Sequence, residues 1–83
     1  MRVIISQGAR RDLRRLPRGA APRVAGSIDA LAGNPRPPGC RLLHDYKPPT
    51  WRVRVGDWRI LYEIDDDADT VTVTGVRRRS KAY

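Results

Sequence analysis

The stretch Trp51-Arg-Val-Arg-Val-Gly-Asp-Trp-Arg-Ile-Leu-Tyr-Glu-Ile64 decides the fold. Trp51, Val53 and Val55 alternate with Arg52 and Arg54. After Gly56 and Asp57, Trp58, Ile60, Tyr62 and Ile64 alternate with Arg59, Leu61 and Glu63. A period of two on both sides of a two-residue Gly-Asp turn is the pattern of an antiparallel hairpin with one buried face. Working outward, Asp65, Asp66, Asp67 and Asp69 make a polar turn. The β-branched run from Thr70 to Val76 then pairs back as the next strand of a meander. On the upstream side, Cys40 to His44 is a short candidate strand that follows the turn Arg36, Pro37, Pro38 and Gly39.

Toward the N-terminus the period changes to that of a helix. Ser6 offers an N-cap oxygen, and Ala9, Leu13 and Leu16 recur at i, i+4 and i+7, with Arg10, Arg11, Arg14 and Arg15 outside that stripe and Pro17 stopping it. Val24, Ile28 and Leu31 repeat the spacing in a second helix. Pro22 fits its first turn, and Gly33, Asn34 and Pro35 end it. Arg2 to Ile5 reads as a strand. The resulting order, β-α-α-β-β-β-β, predicts an α+β fold. An N-terminal strand and an αα-hairpin pack on one face of a small, mainly antiparallel sheet whose other face stays open.

Eighty-three residues are expected to form one domain, 1–83. The 17 basic residues against 9 acidic ones leave a charge of +8, a field that attracts phosphate or an acidic protein segment. The single Cys40 rules out an internal disulfide and a zinc module, and is expected to be a small buried hydrophobe. No run reaches membrane-spanning length and the first residues do not form a signal sequence, so a cytoplasmic protein without membrane contact is expected. Neither cofactor nor metal is expected. All but Lys47 and Lys81 of the basic residues are Arg, a bias that G+C-rich coding alone produces. Position therefore has to distinguish a site from composition.

Strand alternation gathers Arg52, Arg54 and Arg59 on the open face, opposite Trp51 and Trp58, which belong to the core side. Beyond Val76 the basic tail Arg77, Arg78, Arg79 and Lys81 leaves the last strand beside the same hairpin. Tyr83 is either a frayed end or a ring at the edge of the basic cleft. Rows of guanidinium groups with a nearby ring suit single-stranded RNA. His44, the one imidazole, is expected to be structural or exposed.

The hairpin, the acidic turn, the β-branched strand and the ending Gly75-Val-Arg-Arg-Arg-Ser-Lys-Ala-Tyr83 resemble toxins of the RelE/ParE superfamily, and are most similar to RelE. The helical segment Ala9-Arg-Arg-Asp-Leu-Arg-Arg-Leu-Pro17 is similar to the family's front half. The resemblance implies a RelE-like fold and a metal-independent, ribosome-dependent endoribonuclease that cuts mRNA in the ribosomal A site. It also implies a cognate acidic RelB-like antitoxin and, through that antitoxin, operator DNA. By position it implies catalytic roles for Arg52, Arg54, Arg59, Arg77 and Tyr83: Arg59 stabilises the transition state, Arg77 occupies the general-acid position and Tyr83 orients or stacks the nucleotide. Arg78, Arg79 and Lys81 would bind RNA.

RNA carries its own nucleophile, the 2′-hydroxyl, so such a site has to align it, accept its proton, stabilise charge on the phosphate and protonate the 5′ leaving oxygen. The family archetype has lysines where this chain has Arg52 and Arg54. With a pKa of ~12.5 to 13.8, an arginine is neutral at pH 7 on the order of once in a million. The proton acceptor is therefore open between water, a ribosomal group, Glu63 and the lone imidazole His44. A ParE-like toxin that poisons gyrase by protein contact, and a non-catalytic basic RNA- or DNA-binding module, are the alternative readings.

Overall fold

A computed structural model describes residues 1–78 of the chain. Arg79, Lys81 and Tyr83, each expected at the site, lie outside the described residues. The elements follow the expected order: β1 (Arg2–Ile5), α1 (Gln7–Arg14), α2 (Ala21–Ala30), β2 (Arg41–Leu43), β3 (Thr50–Val55), β4 (Trp58–Asp65) and β5 (Thr70–Arg78). The five strands form one mixed sheet in the order β1-β5-β4-β3-β2. β2 to β5 are an antiparallel meander, and β1 closes the other edge parallel to β5.

Local chemistry places each boundary. The Ser6 hydroxyl accepts the Ala9 amide at 3.1 Å and starts α1. Pro22 sits in the first turn of α2, where no intrahelical donor is lost. The β3–β4 turn puts Gly56 at its first central position with φ +60°, the demand of a tight type II′ hairpin. α1 packs along β5, and α2 packs across β3 and β4. The core between helices and sheet joins Ala9, Val24, Ile28 and Leu31 to Ile60, Tyr62, Val71, Val73 and Val76, all at most 4% exposed. Each such aliphatic side chain contributes roughly 1.5–3 kcal/mol by leaving water. Tyr62 is fully buried, and its hydroxyl donates to the Pro35 carbonyl at 2.8 Å. Burial pushes its ionisation well above the ordinary tyrosine range, with Cys40 nearby acting in the same direction.

The last strand departs from the expected boundary. It runs on to Arg78, because β4 begins at Trp58 and supplies partners for Arg77 and Arg78. Within it the register breaks: Leu61 pairs with Gly75 but Tyr62 pairs with Val73, leaving Thr74 as an extra residue. Such a bulge reverses the parity of everything that follows. Val71 and Val73 face the core before it and Val76 faces the core after it, three residues on. Arg77 is thereby turned to the open face.

α1 completes the edge of β5. β1 pairs only as far as Val73, and the chain then enters the helix, whose Ser6 hydroxyl donates to the Thr74 carbonyl at 3.4 Å. Six residues on, the Asp12 carboxylate accepts the Val76 amide at 3.0 Å. A strand edge that β1 leaves bare is thus covered by the helix and one of its donors satisfied.

Candidate functional site

The open face carries the cations in register. Arg54, Arg59 and Arg77 are direct cross-strand neighbours on β3, β4 and β5. In the adjacent row Arg41 on β2 faces Arg52, which faces Leu61 and then Gly75. Like charges in neighbouring strands destabilise the sheet, so this row is a cost that the fold carries. Arg52 and Arg59 are only 7% and 4% exposed, so the face expected to stay open is partly enclosed. Arg54 and Arg77 are exposed.

Two depressions divide these residues. A cleft of about 180 Å³ is bounded on one side by residues 43–46, the end of β2 and the loop after it, and on the other by Arg59, Leu61 and Arg77. Next to it, a shallower depression of about 390 Å³ holds Arg41, Arg52 and Arg54, with Pro38 and Gly39 at its rim. Arg52 and Arg54 are thus beside the pair Arg59 and Arg77 rather than in one cavity with it. Arg41, which the sequence reading passed over, joins them; its pairing with Arg52 across β2 and β3 is the feature that brings it there.

Arg77 is held from two sides. Its Nη1 donates to Asp12 Oδ2, the same oxygen that accepts the Val76 amide. Its guanidinium folds back over Gly75, where a Cβ would lie 2.9 Å from Nη1 and 3.2 Å from Cζ. A glycine is required for that approach. One Nη is engaged by the carboxylate, and the side chain remains just over half exposed toward the cleft.

Arg78 goes elsewhere. It pairs with Trp58 across β4 on the side of Val76, and its guanidinium lies over the Trp58 ring at 5.4 Å from the centroid, away from Arg59 and Arg77. Trp51 is capped in the same manner by Arg36 at 5.3 Å. Both rings pack against the core, as expected of their strand parity. Arg36 also forms an exposed two-point ion pair with Asp66, which raises the guanidinium pKa. Glu63 shares the open face but lines a separate, acidic depression with Asp65, Asp66 and Asp67. His44 is exposed, as expected, and it borders the cleft of Arg59 and Arg77. Cys40 is half-buried. Among the described residues no group of three or more His, Cys, Asp or Glu is placed to hold a metal ion, and no helix is long and apolar enough to cross a membrane.

Comparison with known proteins agrees with this architecture. The profile of the ParE toxin of type II toxin–antitoxin system, parDE, matches residues 3–83. Toxin RelE of Mycobacterium tuberculosis is 38% identical over 82 residues, covering 98% of this chain and 84% of that protein. The archaeal RelE–RelB complex from Pyrococcus horikoshii superposes with a TM-score of 0.82 at 24% identity, covering 98% and 97% of the two chains. The toxin–antitoxin complex RelBE2 of M. tuberculosis superposes with a TM-score of 0.69 at 30% identity, covering 96% and 92%. With identity at that level sustained along almost the whole length, the chain belongs to the RelE/ParE superfamily of type II toxin–antitoxin toxins.

Proposed function

We propose that the chain is a ribosome-dependent endoribonuclease that cleaves mRNA in the ribosomal A site and so arrests translation. The observation that carries this reading is the in-register row Arg54–Arg59–Arg77, with Arg59 and Arg77 on one cleft of the open face. A phosphodiester in that cleft would offset the mutual repulsion of the row. Arg59, rigid through burial, stabilises the charge that grows on the non-bridging phosphate oxygens. Arg77, fixed by Asp12 at one Nη, offers its remaining donors to the phosphate near the 5′ leaving oxygen. Arg52, Arg54 and Arg41 take the neighbouring phosphates, and Arg79, Lys81 and Tyr83 extend the RNA contact as the family resemblance implies, whereas Arg78 contributes through the sheet end. The guanidinium groups supply the positive charge, so the reaction needs no metal. The products are a 2′,3′-cyclic phosphate and a 5′-hydroxyl.

The 83 residues act as a single domain in the cytoplasm, where the ribosome is. Relatives of this fold have been solved as RelE–RelB complexes. The inhibitory partner here is an acidic RelB-like antitoxin segment that folds onto the +8 surface. Primer extension on mRNA with and without ribosomes tests the reading: cuts within occupied codons are expected. Arg59→Ala should lower their rate by on the order of 10² to 10³ while ribosome binding is kept. The match to the ParE profile favours a second reading, a toxin acting on gyrase by protein contact. Gyrase-linked DNA breaks with intact mRNA would select it.

A further inference from the structure

An all-arginine site leaves one chemical task undone, the removal of the 2′-hydroxyl proton. The groups that could accept it are separated by the fold. Glu63 lies on the acidic depression with Asp65 to Asp67, remote from the row, while residues 43–46 form the wall that faces Arg59, Leu61 and Arg77. His44 is in that wall and is exposed, directly after β2 ends at Leu43. It also lines a third depression together with Arg41 and Arg52, separate from the one that holds Arg54. The charged and titratable groups around it are Asp45 and Tyr46 on its own loop, Arg41 on β2, Arg52 on β3, Arg59 on β4 and Arg77 on β5.

We propose that His44 is the general base of this toxin; the proposal rests on the nuclease reading above. Neutral imidazole accepts the 2′-hydroxyl proton as the 2′-oxygen forms its bond to phosphorus. The bond from phosphorus to the 5′-oxygen breaks, and that oxygen takes a proton from solvent water. The imidazolium returns its proton to solvent. Two ester bonds are exchanged, nothing is oxidised or reduced, and no co-reactant is consumed. Imidazole, whose unperturbed pKa is about 6.5, suits this role at neutral pH as an arginine does not.

The test is single-turnover cleavage of mRNA on ribosomes from pH 5 to 9 with the wild-type chain, His44→Ala and Glu63→Gln. The wild type should lose rate tenfold per pH unit on the acid side. His44→Ala should be slower by about 10² or more at neutral pH, lack that acid limb and be partly restored by added imidazole. Glu63→Gln should stay within twofold of wild type. Ribosome co-sedimentation of His44→Ala shows whether binding is intact. A His44→Ala rate within threefold of wild type, or a slower rate that keeps the acid limb and ignores imidazole, overturns the assignment while leaving the nuclease reading in place. A wild-type chain that cuts no ribosome-bound mRNA overturns both.

Discussion

Asp12 gives the sharpest test of how this fold is held, because local and tertiary physics predict opposite signs for its removal. It lies in the last two turns of α1, where a carboxylate opposes the helix dipole and where Ala is the better helix former. On those grounds alone Asp12→Ala would stabilise the chain by about 0.3–1 kcal/mol. The tertiary structure says otherwise. Asp12 Oδ2 is the acceptor for the Val76 amide at the bare edge of β5 and for Arg77 Nη1. Losing the acceptor of a partly buried amide costs about 1–3 kcal/mol. The ion pair adds no more than about 0–1, since the Arg77 side chain is 56% exposed and solvent screens it. The net expectation is a loss of about 2 kcal/mol, which for a domain of this size lowers Tm by roughly 8–16 °C. Asp12→Asn keeps an oxygen for the amide and should recover most of that loss. Thermal unfolding followed by far-UV circular dichroism, at low and high salt, reads both. The amide part is insensitive to salt and the Arg77 part is screened. An Asp12→Ala Tm equal to or above that of the wild type refutes the assignment of Asp12 to the sheet edge.

Gly75→Ala should cost little stability, because the atoms its Cβ meets are the far end of Arg77, yet it should displace that guanidinium and reduce mRNA cleavage by at least tenfold; unchanged turnover would separate Gly75 from the positioning of Arg77. Tyr62 has its ionisation raised by burial, so its contribution to stability is complete below about pH 10 and is lost as pH rises from there through the folded-state value. Tyr62→Phe should lose about 1 kcal/mol at pH 7 with the hydrogen bond to Pro35 and show a flatter decline above pH 10, measured by urea unfolding across that range. Asp66→Ala, which breaks an exposed pair with Arg36, should leave the unfolding midpoint in the same assay indistinguishable from that of the wild type. Leu31→Ala, at 1% exposure beneath the sheet, should cost about 2–5 kcal/mol.

The elements were legible because their signals are local. The Ser6 cap, the Val24–Ile28–Leu31 spacing, Pro22 in a first turn and the Gly56-Asp57 turn each act within a few residues, and each is realised. Arg52, Arg54 and Arg59 share a face because alternation is a property of any strand. Alternation does not report what lies over that face, so the enclosure of Arg52 and Arg59 and the wall that brings His44 to the cleft were not legible. A side chain three strands away, or in a loop after β2, becomes a neighbour only through the sheet order.

Arg77 marks the division most clearly. The sequence alone determined an α+β chain with a basic hairpin and a basic ending, since periodicity and charge are read directly from residue types. Strict alternation from Val71 and Val73 would have turned Arg77 toward the core side. The extra residue at Thr74 reverses that parity and brings Arg77 beside Arg59, and Asp12, 65 positions away in the chain, then holds its guanidinium. Only tertiary structure decides this, because a bulge exists only relative to the partner strand, and an edge amide finds its carboxylate only after helix and sheet have docked.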